Sequence, residues 1–164
     1  HVQLRVDIWL DPWADPSNRG YQIVQSLFAL AEGGLFGQGL GEGYLILPSG
    51  RTIIPYLETD FVFSAIGEEL GLVGAVGIIL LYLIFTYRGF RVAVSTRDDF
   101  SRLLAAGLTS IFALQAFLII GGVIKLIPLT GITLPFVSYG GSSILANFIL
   151  LALLLRTSAK TGEA

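Results

Sequence analysis

The sequence predicts an all-α, polytopic membrane protein fragment, with three transmembrane helices and a long loop domain that contains one amphipathic helix. Two observations carry this prediction. The composition is 54% hydrophobic with only 13% charged residues, and the mean hydropathy is +0.76, too apolar for an ordinary soluble domain, in which about a quarter of residues are charged. The apolar residues are also unevenly placed. They gather in long charge-free runs after position 60, while the first 60 residues are mixed and rich in Gly and Pro.

A net charge of -2 gives no basic footprint, so nucleic acid is excluded as the main partner and the membrane takes its place. The absence of cysteine removes disulfides, thiolate nucleophiles and cysteine metal sites together. No methionine is present and His1 is not a natural start, so the chain reads as part of a longer polypeptide; no signal-peptide pattern opens it.

Residues 1–60 are expected to form a loop domain outside the bilayer. Asp11-Pro12-Trp13-Ala14-Asp15-Pro16 cannot lie inside a helix, because each proline lacks an N–H and pushes its predecessor toward extended geometry. Trp9 and Trp13 flank this turn, and two readings stand for them: indoles at headgroup depth, or packing of a small loop core. Between Tyr21 and Leu35 the apolar residues Ile23, Leu27, Leu30 and Val24, Phe28, Ala31, Leu35 recur at helical spacing, opposite Gln22, Gln25, Ser26 and Glu32. Ser17 or Asn18 is the expected cap and Gly33-Gly34 the expected stop. The polar face lacks basic residues, which favours packing over the mouth of a bundle rather than lying on lipid. Gly37-Gln38-Gly39-Leu40-Gly41 lacks the spacing and the preceding strand of a nucleotide loop and reads as a turn-rich connector.

Leu70 to Tyr87 and Leu103 to Ile124 are free of charge, and Leu126 to Leu155 is a third such run broken at Pro128, Gly131, Pro135 and Gly140-Gly141. About 20 apolar residues cross a hydrocarbon core. The expected spans are 61–87, 103–124 and 138–155, joined by a loop at 88–102 and a re-entrant connector at 125–137, with a tail at 156–164. Arg88, Arg91, Arg97 and Arg102 lie in the first loop and Arg156 and Lys160 in the tail, against Lys125 alone in the other connector. By the positive-inside rule the arginine loop and the tail are cytoplasmic, and residues 1–60 and 125–137 face outward.

Asp60 is the candidate catalytic group. With Thr59 as cap it would open the first span, where free amides favour a carboxylate. There it could accept a proton from a hydroxyl nucleophile or merely help start the helix. Glu58 lies two residues earlier. Glu68 and Glu69 follow on different faces, as structural polar contacts or as ligands of a divalent cation such as Mg2+ or Mn2+. The hydroxyl- and glycine-rich stretch 128–143 interrupts a membrane run, and irregular backbone at that depth is tolerated only inside protein or along a cavity. Its amides, followed by a helix N-terminus, suit an anion such as a diphosphate; a plain connector is equally consistent. Lys125 could pair with the same anion or anchor at headgroups.

Five blocks carry a family resemblance: Trp9 to Pro16; Gly20-Tyr21-Gln22 with Gln25-Ser26-Leu27; Gly33 to Gly37; Thr59-Asp60-Phe61-Val62-Phe63 with Gly67-Glu68-Glu69-Leu70-Gly71; and Gly131 to Ser143. Together, in order and from Trp9 to Arg156, they resemble the SEDS family of bacterial cell-wall proteins, RodA, FtsW and SpoVE. The resemblance implies a multi-pass glycosyltransferase of about ten spans in the bacterial cytoplasmic membrane. Such a protein polymerises lipid II onto undecaprenyl diphosphate-linked glycan beside a class B penicillin-binding protein. It implies that Asp60 is the catalytic residue, since the family's essential aspartate sits in the Thr-Asp-Phe block. Thr59, Lys125, Ser138, Tyr139, Gly140, Gly141, Ser142 and Ser143 are the expected substrate-binding residues, with a divalent cation or basic groups balancing the leaving diphosphate. Many relatives carry His where this chain has Glu58, which bears on base activation and metal use. A lipid II transporter and a non-catalytic scaffold of the division or elongation machinery are the alternatives.

Overall fold

The computed structural model describes residues 2–46 and 52–162; the parts of the predicted loop domain and tail at 1, 47–51 and 163–164 lie outside it. Six α-helices follow in order: α1 Val2–Leu10, α2 Tyr21–Glu32, α3 Leu57–Asp60, α4 Val62–Ser95, α5 Asp99–Val123 and α6 Gly141–Gly162, with a 3₁₀ turn at Pro12–Ala14 between α1 and α2. The described residues contain no strand beyond one antiparallel bridge between Ile46 and Thr52. Helices α4, α5 and α6 are each long and apolar enough to cross a membrane.

Helix α1 was not expected. Its apolar residues alternate (Leu4, Val6, Ile8, Leu10), a strand-like period that gives a helix no continuous apolar stripe. Tertiary docking overrides the pattern: Arg5 and Trp9, one turn apart on the same face, both bond into the segment after α5. Trp9 Nε1 donates to the Lys125 carbonyl at 3.0 Å. Trp9 is thereby committed to protein, whereas Trp13 stays 52% exposed with its ring edge against Phe28. The Asp11-Pro12 turn forms as expected: Asp11 accepts from Trp13 N–H and Pro12 opens the 3₁₀ turn.

Helix α2 is shorter than the expected 21–35 and starts at an N-cap Gly20 without a side-chain cap, in place of Ser17 or Asn18. Gly33 ends it. Its buried face also differs from the expected one. Ser26 is fully buried and shares a 2.6 Å hydrogen bond with Ser64 of α4, whereas Phe28, Ala31 and Leu35 are exposed. Helix α2 packs on α4: a Cβ on Gly33 would fall 2.0 Å from the Gly67 carbonyl oxygen of α4, so only glycine permits the approach.

Helix α4 extends the first span past the predicted end at 87, and α5 begins at Asp99, so the predicted loop 88–102 shrinks to residues 96–98. Asp98 caps α5 by accepting from Ser101 N–H. That backbone hydrogen bond, first among its causes, holds the Asp98 carboxyl below its ordinary pKa. The third span begins at Gly141, not Ser138, and continues to Gly162, so most of the predicted tail is helical.

Within α4 the backbone breaks at Gly71 (φ 67°, ψ −166°). The break frees carbonyls above it and amides below it, which in lipid must find partners. The glycine connector supplies them. Gln38 N–H donates to Glu68 O and Gly39 N–H to Glu69 O, while Leu72 N–H and Val73 N–H donate to Gly34 O and Leu35 O. The expected turn-rich connector is therefore a backbone patch for a broken membrane helix. Below the break, Leu72 to Ser95 rises about 35 Å, enough to cross the hydrocarbon alone.

The bundle centres on α4 against α5, with α6 packed on both and α2 on upper α4. An aromatic row of Tyr82, Phe85, Phe112, Phe136 and Phe148 links the three long helices to the segment after α5. Leu80, Leu83, Ile84, Ile111, Phe117, Leu145 and Ile149 remain exposed, as faces meant for lipid or further helices do.

Candidate functional site

Thr59 does not cap the first span, and Asp60 does not open it. Both belong to the one-turn helix α3, separated from α4 by Phe61, which stands at the N-cap position without a side-chain cap bond. Tyr56 enters α3 in the left-handed region (φ 61°), and the Thr59 hydroxyl donates to the Tyr56 carbonyl at 3.1 Å, stabilising this tight turn. Asp60 is half-buried. Its Oδ2 lies 3.5 Å from where a Cβ would stand on Gly131, so the acid turn looks onto the re-entrant segment.

That segment is tied to every long helix. The Tyr82 hydroxyl of α4 donates to Pro135 O, Gln115 Nε2 of α5 to Thr133 O at 2.8 Å, and the Thr133 and Ser143 hydroxyls bond at 2.6 Å. Asn147 donates to Ser143 O at 2.9 Å. Leu134 and Pro135 are buried beneath the turn, beside an apolar cleft of about 210 Å³ lined by Ile78, Tyr82, Phe112 and Phe136 among others. The irregular backbone is thus held by protein at each point, as its depth requires.

Two adjacent bonds stitch the segment to the acid turn across the sequence. Ser138 Oγ donates to Thr59 O at 2.6 Å, and Tyr139 N–H donates to Glu58 O at 2.8 Å. Ser138 is 2% exposed and its oxygen also accepts from Leu134 N–H at 2.9 Å, so its hydroxyl is spent inside the fold. Its place is to hold Asp60's turn. We expect Ser138→Ala to leave the Thr59 carbonyl and the Leu134 amide without this partner. The predicted cost is about 1–3 kcal/mol of stability and a fall in turnover, read by thermal unfolding and by activity of the full-length protein.

Among the other expected binding residues, the Tyr139 ring is 73% exposed. Gly140, Gly141 and Ser142 form the open N-terminal edge of α6, and Ser143 faces Thr133. Lys125 turns away: its Nζ lies 3.5 Å from Leu10 O, at the C-terminal end of α1, where a cation is favoured. The cation beside Asp60 is Arg5, which the sequence reading did not single out. Arg5 Nη1 donates to Thr130 O at 2.8 Å and Leu129 O at 3.2 Å. Its Nη2 lies 3.8 Å from the same Gly131 Cβ position that Asp60 approaches.

Glu68 is 1% exposed and its carboxylate accepts from the Tyr44 and Leu45 amides. This makes it the structural clasp of the loop domain. The Tyr44 hydroxyl in turn bonds Gln25, and burial, followed by the nearby Glu32, Tyr21 and Glu68, raises its pKa. Glu58 is exposed. Among the described residues no three His, Cys, Asp or Glu side chains gather as metal donors.

These features define a multi-pass membrane protein that presents a half-buried aspartate and an arginine across a glycine of a re-entrant turn. The chain belongs to the FtsW/RodA/SpoVE family of cell cycle proteins, whose family model matches residues 1–163. It is 58% identical over 158 residues to the peptidoglycan glycosyltransferase RodA of Mycobacterium tuberculosis, covering 96% of this chain and 32% of that protein. It is 43% identical over 154 residues to the stage V sporulation protein E of Bacillus subtilis, covering 94% and 41%. A chain solved in a study of how a peptidoglycan synthase complex coordinates polymerization and crosslinking matches with a TM-score of 0.76 and 32% identity, over 96% of this chain and 41% of that one. The chain thus spans about a third to two-fifths of the length of these relatives.

Proposed function

We propose that this chain carries the acceptor-activating part of a peptidoglycan glycosyltransferase that polymerises lipid II at the outer face of the bacterial cytoplasmic membrane. The observation that carries the reading is Asp60, half-buried and facing Gly131, in a turn held by Ser138 and Tyr139. The carboxylate takes the proton of the GlcNAc 4-hydroxyl of an incoming lipid II. That oxygen attacks the anomeric carbon of the growing strand's terminal sugar as the bond to undecaprenyl diphosphate breaks, with inversion. Basic groups or a divalent cation would offset the charge of the leaving diphosphate. The exposed Tyr139 ring and the α6 N-terminal edge are the surfaces left for sugar and anion. A class B penicillin-binding protein is the expected partner, as the likeness to a chain from a polymerization and crosslinking complex supports. The test is polymerisation of lipid II by the full-length protein, reconstituted with that partner, against an Asp60→Asn variant.

The face is tested separately. Leu40 in the connector is 77% exposed, and Phe100 after the arginine-bearing end of α4 is 73% exposed. In intact cells an impermeant maleimide should label Leu40→Cys in a cysteine-free background and reach Phe100→Cys only after lysis. The reverse pattern would place Asp60 inside.

A further inference from the structure

We propose that Arg5 is the phosphate-binding group of this site, gripping the diphosphate of the lipid-linked glycan whose sugar transfer Asp60 serves; the inference rests on the glycosyltransferase reading. Arg5 is exposed and is fixed by one of its nitrogens to two neutral carbonyls, Leu129 O and Thr130 O. A guanidinium has five donors in a rigid fork, so Nη2 and Nε remain for another acceptor. Arg5 forms no salt bridge among the described residues, where the one recorded pair is Arg102 with Asp99. An arginine oriented by two carbonyls yet left without an anion is a preorganised acceptor for phosphate oxygens.

The position fits the chemistry. Arg5 Nη2 and Asp60 Oδ2 approach the same open point on Gly131, at 3.8 and 3.5 Å, without pairing within 4.0 Å. A base and a leaving-group clamp must be separated by the reacting bonds of one sugar, and a direct ion pair would cancel both. Gly131, exposed and at φ 71°, puts no side chain between them. The adjoining Thr130 hydroxyl is buried without a partner among the described residues. Buried polar groups are rarely left so, which marks this edge as one completed by a polar group from outside the chain. Lys125, the cation the sequence pointed to, is held at the other end of α1.

The experiment measures binding rather than turnover, so that it does not depend on the base. Full-length protein with its transpeptidase partner, in nanodiscs, is titrated with undecaprenyl diphosphate and with undecaprenol, as wild type, Arg5→Gln, Arg5→Lys and Asp60→Asn. Arg5→Gln keeps a donor for the two carbonyls but loses the charge. It should weaken diphosphate binding about tenfold or more and leave undecaprenol unchanged, while Arg5→Lys recovers part of the loss. Asp60→Asn should bind diphosphate at least as well as wild type. Equal weakening of both ligands, or unchanged diphosphate affinity, overturns the proposal. If Arg5→Gln does not fold, Arg5→Lys decides: its loss must be confined to the diphosphate. An Asp60→Asn protein that still polymerises, beside an Arg5→Gln protein that has lost diphosphate selectivity, would overturn the base assignment alone.

Discussion

Asp60→Asn is expected to reduce lipid II polymerisation by about 10²–10⁴-fold, the range that a positioned general base contributes, with little change in thermal stability. Asparagine has the shape of aspartate but cannot take a proton. The backbone bonds that hold the turn, from Ser138 to Thr59 O and from Tyr139 to Glu58 O, do not involve the Asp60 side chain. The loss should therefore fall in kcat rather than in membrane yield or unfolding temperature. Asp60→Glu should recover only part of it, because one added methylene moves the oxygens from the place where they face Gly131. Glycan strands formed at the wild-type rate by Asp60→Asn would end the assignment. Asp60-dependent passage of labelled lipid II across proteoliposomes, without polymer, would point to transport instead.

The largest structural effect is expected from Gly71→Ala. Gly71 sits at φ 67° and ψ −166°, a region open essentially to glycine alone. A Cβ there would fall 2.3 Å from Gly37 N and 2.6 Å from Leu35 O. Strain and collision act on the same atom, and neither neighbour is a flexible side-chain tip. The cost is estimated at about 3 kcal/mol or more, enough to lower the yield of folded protein in membranes sharply. Detergent size-exclusion profiles and thermal unfolding would show it. Ala at Gly77, where nothing lies within 4 Å, should be tolerated, and equal behaviour of the two variants would show that the break is not a fixed feature.

Both sites show what a single chain reveals about itself. The three spans were legible because absence of charge over a run is a local property, and the re-entrant break because Pro128 and Pro135 cannot continue a helix and Gly131 between them weakens one. The Gly71 break was not, since a glycine in an apolar run is ordinary and what demands it here is contact with Gly37, in a different part of the chain. Helix α1 was hidden by its alternating apolar residues, and Ser26 by its polarity, although the Ser64 hydroxyl makes that polarity a reason for burial. Asp60 stood out through its place beside a long apolar run and through the Thr-Asp-Phe block. Its predicted setting at a helix start gave way to a separate turn because Phe61 leaves helical geometry (φ −118°, ψ 16°) between α3 and α4. Arg5 carried no local signal: its partners Leu129 and Thr130 lie more than a hundred positions away, a pairing that only the fold creates.

The elbow at Gly71 also works as a depth gauge. Its backbone is pinned on both sides by the connector, so the rod below and the short piece above keep one relative height, and the helical stretch 62–70 between the elbow and Asp60's turn rises about 13 Å. A substrate with a greasy anchor and a wet sugar needs its reacting bond presented at one fixed altitude above the hydrocarbon. In the proposed glycosyltransferase that altitude is set where Gly37 meets Gly71.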